Sequence, residues 1–242
     1  TGLAPQGMVL SNDGQRLFVH NFMSRTVAVY DVSGVTQSTT FAFQSLANIN
    51  TVATEQLAAD VLLGKQIFYN AADPRMNEDG YLSCASCHLA GGSDGRVWDF
   101  TDRGEGLRNT TSLHGRAGIG HGRVHWTANF DELQDFENDI RNNFGGDGFL
   151  TQAQWQTGTV SNPLGQPKAG LSPDLDALAA YVASLSTFGR SPYRQANGLL
   201  SAAADRGQTL FANLGCATCH PGPGFTDRMF AVIPRSEARP RL

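Results

Sequence analysis

The sequence predicts a mainly α-helical protein in which two short cysteine–histidine pentapeptides sit among helices, preceded by a short β-hairpin. Three observations predict it. Cys84-Ala-Ser-Cys87-His88 and Cys216-Ala-Thr-Cys219-His220 use all four cysteines of the chain. Apolar residues recur at helical spacing around the first pentapeptide and ahead of the second. Strand-like, β-branched runs separated by turn clusters are confined to residues 1–45.

In chain order, Ser11-Asn12-Asp13-Gly14-Gln15-Arg16 is a turn cluster that leads into Leu17-Phe18-Val19. Asn21 to Arg25 break the chain again before Thr26-Val27-Ala28-Val29-Tyr30, so residues 1–45 read as a β-hairpin. A lone hairpin is marginal in water. This stretch resembles a blade of the β-propeller repeats of secreted bacterial proteins, which implies a remnant of an upstream propeller; a hairpin packed on the rest of the chain is the alternative. Thr54-Glu55-Gln56-Leu57 then starts a helix carrying Leu57, Val61, Leu62, Ile67 and Phe68 on its apolar stripe, and Asp73-Pro74 ends it. Residues 89–122 are rich in glycine, arginine and asparagine and read mostly as loop. Phe130 to Asn143 read as an acidic amphipathic helix with Phe130, Leu133, Phe136 and Ile140 on one face. Ser172 is an N-cap and Pro173 the first helical residue of a helix through Leu178, Tyr181, Val182 and Leu185, closing near Gly189. A shorter helix, Arg206 to Asn213, precedes the second pentapeptide.

C-x-x-C-H is the attachment motif of c-type haem. Its spacing lets two thiols reach the two vinyl groups of one porphyrin edge and puts the adjacent imidazole under the iron. A thioredoxin-like dithiol would sit in an alternating strand–helix pattern, absent here, and a zinc site would want closer pairs and a second histidine at short spacing. The expectation is therefore two covalent haems, held by Cys84, Cys87 and His88 and by Cys216, Cys219 and His220. Helix, haem motif, loops and helix describe a class I cytochrome c-type domain. Residues 52–190 read as one complete domain of this type, and residues 200–242 as the truncated start of a second. Covalent haem is attached outside the bacterial cytoplasm, which predicts a periplasmic, cell-surface or secreted protein; the chain then either has lost a leader or is an internal piece. With 18 basic against 22 acidic residues and a net charge of −4, no basic stripe points to nucleic acid. No apolar run reaches the roughly 18 residues of a membrane span.

Leu63-Gly64-Lys65-Gln66-Ile67-Phe68, Arg75-Met76 and Ser83 to His88 resemble the opening of bacterial diheme cytochrome c peroxidases. Arg108-Asn109-Thr110-Thr111-Ser112-Leu113 is similar to their RNTPSL-type segment, with threonine replacing proline. Trp126 followed by Leu133 resembles their tryptophan-to-helix segment, and Arg206 to Phe211, Gly215 to His220 and Gly224 to Asp227 resemble the start of their second haem domain. The resemblance spans roughly residues 55–230 and extends to the related enzymes that mature tryptophan-derived quinone cofactors. It implies peroxide reduction at the first haem, with electrons relayed through the second from a small donor protein of cytochrome c or cupredoxin type. It further implies that Trp126 lies between the haems, that Asp135 (or its neighbours Glu132 and Glu137) is the catalytic acid–base, and that Asn109 is near a calcium ion. Family members run on beyond the second motif, so a C-terminal portion or partner chain is expected to complete the second haem domain.

The open face of the first iron is constrained by elimination. Residues 89–107 contain no histidine, where the family usually carries a distal one, and the methionines are Met8, Met23, Met76 and Met229. None lies where a class I domain places its methionine ligand, which predicts a low-potential first haem. That iron is either five-coordinate or bound by His114, His121 or His125; His125 is favoured by its neighbour Trp126, and His121 is the mobile alternative. Two functions follow as expectations: a peroxidase-like enzyme, or a bis-haem electron carrier without a reactive site, with a diheme oxidase of a protein substrate as a subclass of the first.

Overall fold

The computed structural model describes residues 2–37 and 43–229. The first part is a sheet of four antiparallel strands in sequence order: β1 (Pro5–Leu10), β2 (Arg16–Asn21), β3 (Thr26–Asp31) and β4 (Gln44–Asn50), with the short helix α1 (Ser33–Gln37) between the last two. The β1–β2 turn forms because Asp13 accepts from the Ser11 hydroxyl and the Gln15 amide, while Gly14 takes a left-handed φ of 69°. Val19 on β2 and Ala28 and Val29 on β3 are buried, whereas every residue of β1 and β4 is exposed. The sheet touches the helical part through the β2–β3 turn. There Phe22 packs edge-on against Tyr69 with centroids 5.1 Å apart, Lys65 Nζ lies 4.3 Å above the Phe22 ring, and Arg25 pairs with Glu55.

The helical part is organised by two crossed helices, α2 (Ala59–Tyr69) and the later α6. Between them the chain passes through the one-turn α3 (Cys84–Cys87), a hairpin of β5 (Val97–Phe100) and β6 (Gly106–Asn109), α4 (Phe136–Asn142) and α5 (Gln152–Trp155). α6 (Pro173–Ser184) begins where expected, with the Ser172 hydroxyl accepting from the Leu175 amide at 3.4 Å and Pro173 in the first turn. The crossing depends on Gly64: a Cβ there would sit 1.8 Å from the Ala177 carbonyl oxygen. Ile67, Phe68, Met76, Ile140, Leu150, Leu175, Leu178 and Tyr181 form the core around this contact, and Cys84 and Ala85 pack against it. α7 (Ala202–Asn213) precedes the second pentapeptide and buries none of its residues.

This architecture corrects the expected fold class. The protein is 29% helix and 16% strand, with a four-stranded antiparallel sheet, so it is not mainly α. Nor does the fold by itself show two class I cytochrome c-type haem domains. The physical reason lies in the segments linking the helices: Gly91, Gly95, Gly104, Gly106, Gly115 and Gly118 all take positive φ, which only glycine adopts without strain, so 89–122 is held in turns and a hairpin. The expected helix over 130–143 is cut to a 3-10 turn at Leu133–Asp135 plus the seven residues of α4. The two-strand hairpin is likewise a four-strand sheet. The last 13 residues of the expected second domain, 230–242, lie outside the described residues.

Candidate functional site

The first pentapeptide is wound into one helical turn that opens at Ser83, whose amide donates to the Ser86 hydroxyl at 3.0 Å while its carbonyl accepts from the Ser86 amide at 2.9 Å. A helical turn puts residues i and i+3 on one side, so Cys84 and Cys87 share a face and His88 follows at the turn's end. The His88 Nδ1 lies 3.0 Å from the Thr111 carbonyl and 3.3 Å from the Gly92 carbonyl. A carbonyl only accepts, so Nδ1 carries the proton and Nε2 keeps its lone pair for a metal. Burial lowers the His88 pKa, chiefly by desolvation, which favours the neutral form that ligates. The four cysteines are unpaired. Burial pushes the Cys84 thiol up to about 12 and, with Asp94, raises that of Cys87. A redox dithiol instead needs a lowered thiol pKa.

The second pentapeptide repeats the local device with less around it. Gly215 in the left-handed region opens a 3-10 turn over Cys216–Thr218, and the His220 amide closes onto the Cys216 carbonyl at 3.0 Å. His220 Nδ1 donates to the Phe225 carbonyl at 2.9 Å, again leaving Nε2 free. Phe211 of α7 packs on Phe225 at 5.7 Å and near the His220 ring at 6.4 Å. Both motifs thus offer the thiols and the free imidazole nitrogen that would hold a haem, and one further feature agrees: Arg108 Nε is buried without an acceptor among the described residues, a donor suited to a carboxylate such as a haem propionate.

The three candidate distal histidines separate. His114 Nε2 donates to the Ala90 carbonyl at 2.9 Å, in the turn that follows His88. His121 stacks on Phe188 at 6.1 Å and lines a cavity of about 330 Å³ with Pro221, Gly224, Thr226 and Arg228, so it faces the second pentapeptide's loop. His125 lies between Phe130 (4.2 Å) and Phe136 (4.9 Å), with Nδ1 donating to Asn129 at 2.9 Å. Its Nε2 is 3.5 Å from Asp139 and its Nδ1 3.8 Å from Glu105. Glu105, Asn129, Phe130 and Asp139 also line a cavity of about 270 Å³.

The acids singled out in sequence do other work. Asp135 is 1% exposed and paired with the equally buried Lys168 at 2.6 Å. Glu132 accepts the Lys168 and Ala169 amides. Glu137 is fully buried, accepting the Phe149 and Leu150 amides and the Arg141 guanidinium. The carboxylates beside His125 are instead Glu105 and Asp139, brought there by tertiary contacts across 20 and 14 residues that no local pattern announces. Trp126 is 57% exposed and donates its indole N–H to the Asn109 carbonyl at 3.0 Å. Among the described residues no group of three or more histidine, cysteine, aspartate or glutamate side chains is arranged to hold a metal ion.

Comparison with known proteins gives the following. No family model matches the chain. The hydrazine synthase subunit gamma of Kuenenia stuttgartiensis is 32% identical over 157 residues, covering 62% of this chain and 40% of that protein. A cytochrome-c peroxidase of Denitromonas iodatirespirans is 28% identical over 201 residues, 74% of this chain and 51% of its own length. The chain therefore spans about half or less of the curated relatives it matches. Among solved structures, a chain of Kuenenia stuttgartiensis hydrazine synthase shares the fold at a TM-score of 0.51 and 27% identity, over 72% of this chain and 54% of that one. These similarities support kinship with the diheme cytochrome c peroxidase-like family, whose named relatives are enzymes.

Proposed function

We propose that the chain is the haem-bearing part of a c-type diheme cytochrome of peroxidase type, which reduces hydrogen peroxide at the first haem with electrons relayed through the second. The observation that carries this reading is the repeated geometry of the two pentapeptides, each with its histidine Nδ1 committed to a backbone carbonyl and Nε2 free. Cys84 and Cys87 with His88, and Cys216 and Cys219 with His220, are the residues that would hold the two haems. When bound, the haem supplies a redox-active iron to which peroxide can bind.

The protein's own contribution is proton handling. Peroxide takes up two electrons and two protons to give water, so a held acid–base group must stand at the pocket. Asp135 is committed to Lys168, and the groups disposed for that role are His125 with Glu105 and Asp139. Trp126, tied to Asn109, stands in the segment expected between the haems. The same engagement of Asp135 is what favours the second reading, an electron-transfer protein without peroxidase activity; a diheme oxidase of a protein substrate shares the scaffold.

The four-stranded sheet fits one propeller blade, since blades are four-stranded antiparallel sheets. A small cytochrome or cupredoxin donor, a calcium ion near Asn109, further chain completing the second haem domain and a periplasmic or cell-surface location complete the proposal. No helix among the described residues is long and apolar enough to cross a membrane.

The test is mass spectrometry of protein matured in a host that attaches c-type haem, followed by optical and EPR spectra during stepwise reduction. Two covalent haems and a high-spin fraction, present at rest or appearing on half-reduction, are expected. His125→Ala should change the spectrum, and Glu105→Gln should slow peroxide turnover by about 10²–10⁴, the usual contribution of a positioned acid–base group. Two permanently low-spin irons indifferent to peroxide would leave the electron carrier standing.

A further inference from the structure

We infer that His114 is a positioning residue for the first axial ligand: it clamps the left-handed turn after His88 and thereby sets the hydrogen bond on His88 Nδ1. This rests on the haem reading above. The turn is strained at a defined place, because Ala90 sits at φ 50°, ψ 30° and Gly91 follows at φ 78°. An alanine in the left-handed region persists only where its surroundings hold it.

Those surroundings are the segment 111–114. His114 Nε2 donates to the Ala90 carbonyl at 2.9 Å, and the Leu113 amide donates to the Gly91 carbonyl at 2.9 Å. Thr111, three residues earlier in the same segment, presents one of the two carbonyls that accept from His88 Nδ1, and Gly92, at the end of the turn, presents the other. The His114 bond therefore joins the two pieces of backbone whose separation fixes both acceptors. The fit is tight: a Cβ on Gly91 would lie 2.9 Å from Leu185 Cδ1 and 3.4 Å from His114 Nε2. The Gly115 amide, donating to the Leu185 carbonyl at 2.8 Å, ties the same segment to the residue that follows α6.

The consequence is electronic. A firm acceptor on Nδ1–H makes the imidazole a more basic ligand, and a more basic ligand favours the oxidised iron. Releasing the clamp lets the turn relax, withdraws the carbonyls and raises the potential of the first haem. His114 acts on the iron through His88, with its own Nε2 spent on Ala90.

The experiment uses the full haem-loaded chain with His114→Ala, His114→Leu and His114→Gln. Mass spectrometry establishes covalent haem in each, and spectroelectrochemistry reads both midpoint potentials; the first haem's wave is the one missing when Cys84 and Cys87 are both replaced by alanine. His114→Ala and His114→Leu, which lack the donor, should shift the first haem's reduction equilibrium about tenfold toward the reduced form, equivalent to about 59 mV for a one-electron couple. His114→Gln, which keeps an N–H at similar reach, should restore it, and the second haem should not move. An unchanged first potential with haem in place would overturn the clamp alone, as would a glutamine variant shifted as far as alanine. Failure of alanine and leucine variants to fold beside a sound glutamine variant would also overturn it, making His114 a fold element. Absence of covalent haem from the parent protein would overturn the haem reading and this inference with it.

Discussion

The two pentapeptides are nearly the same sequence in very different surroundings. The first sits against a core built on the α2–α6 crossing, and its histidine is held by a carbonyl 23 residues away as well as by a local one. The second follows α7, which buries nothing, and its histidine is hydrogen-bonded, among the described residues, to Phe225 five residues on. The histidine's orientation is thus a local property that five residues and a turn can produce alone. The long-range hydrogen bond is what differs: the first histidine has one, whereas the loop after the second meets the rest of the molecule through His121 and not through the histidine itself.

The comparison can be broken most forcefully at the buried ion pair. Lys168→Met strands the Asp135 carboxylate in the core, and removing one partner of such a pair costs about 3–5 kcal/mol; urea unfolding of the first region should show that loss while α7 is unaffected. Gly64→Ala comes next: its Cβ overlaps the Ala177 carbonyl, and overpacking of this kind costs about 1–3 kcal/mol or more, read as a lower melting temperature. A smaller effect is pH-dependent. Asp73 is held below its ordinary value of 3.8, first by its hydrogen bond from Arg75, which also reaches Asp174 at the start of α6. The folded pKa is the lower one, so this contribution is fully present above the ordinary value of 3.8 and is lost as the pH falls from there through the folded pKa. Urea midpoints should drop in acid for the native chain and drop less for Asp73→Asn. The smallest change runs the other way: Gly207 lies inside α7 with open space around its Cβ position. Gly207→Ala should raise the stability of that helix by about 0.4–1 kcal/mol, measured by amide exchange, because nothing packs there to be disturbed.

What was legible in sequence follows the same division. Ser172-Pro173 marked the start of α6 because capping is chemistry between near neighbours, and both pentapeptides were readable for the same reason. β1 and β4 were not. Pro5–Leu10 and Gln44–Asn50 are fully exposed and carry no burial-driven alternation; pairing with β2 and β3 makes them strands. Glu137, expected as an alternative to Asp135 for the acid–base role, is fully buried: the amides of Phe149 and Leu150 and its helical neighbour Arg141 satisfy it. The pairing of Asp135 was hidden for a related reason: its partner, Lys168, lies 33 residues away. Glu105 and Asp139 around His125 were invisible until the chain closed on itself.

The position of Cys84 bears on the order in which the protein is made. Its side chain packs against the core and burial pushes its thiol up to about 12, so in the finished fold it is a poor nucleophile. Cys219 is exposed. On the proposed haem reading, thioether formation at the first site would belong to the nascent, still-open chain, with closure of α2 onto α6 following it. On the same reading, the second site would still offer the exposed Cys219 after the first region has folded. Pulse-chase maturation should accordingly show singly loaded intermediates carrying the first haem, and a chain that folds before that step should be a dead end at Cys84.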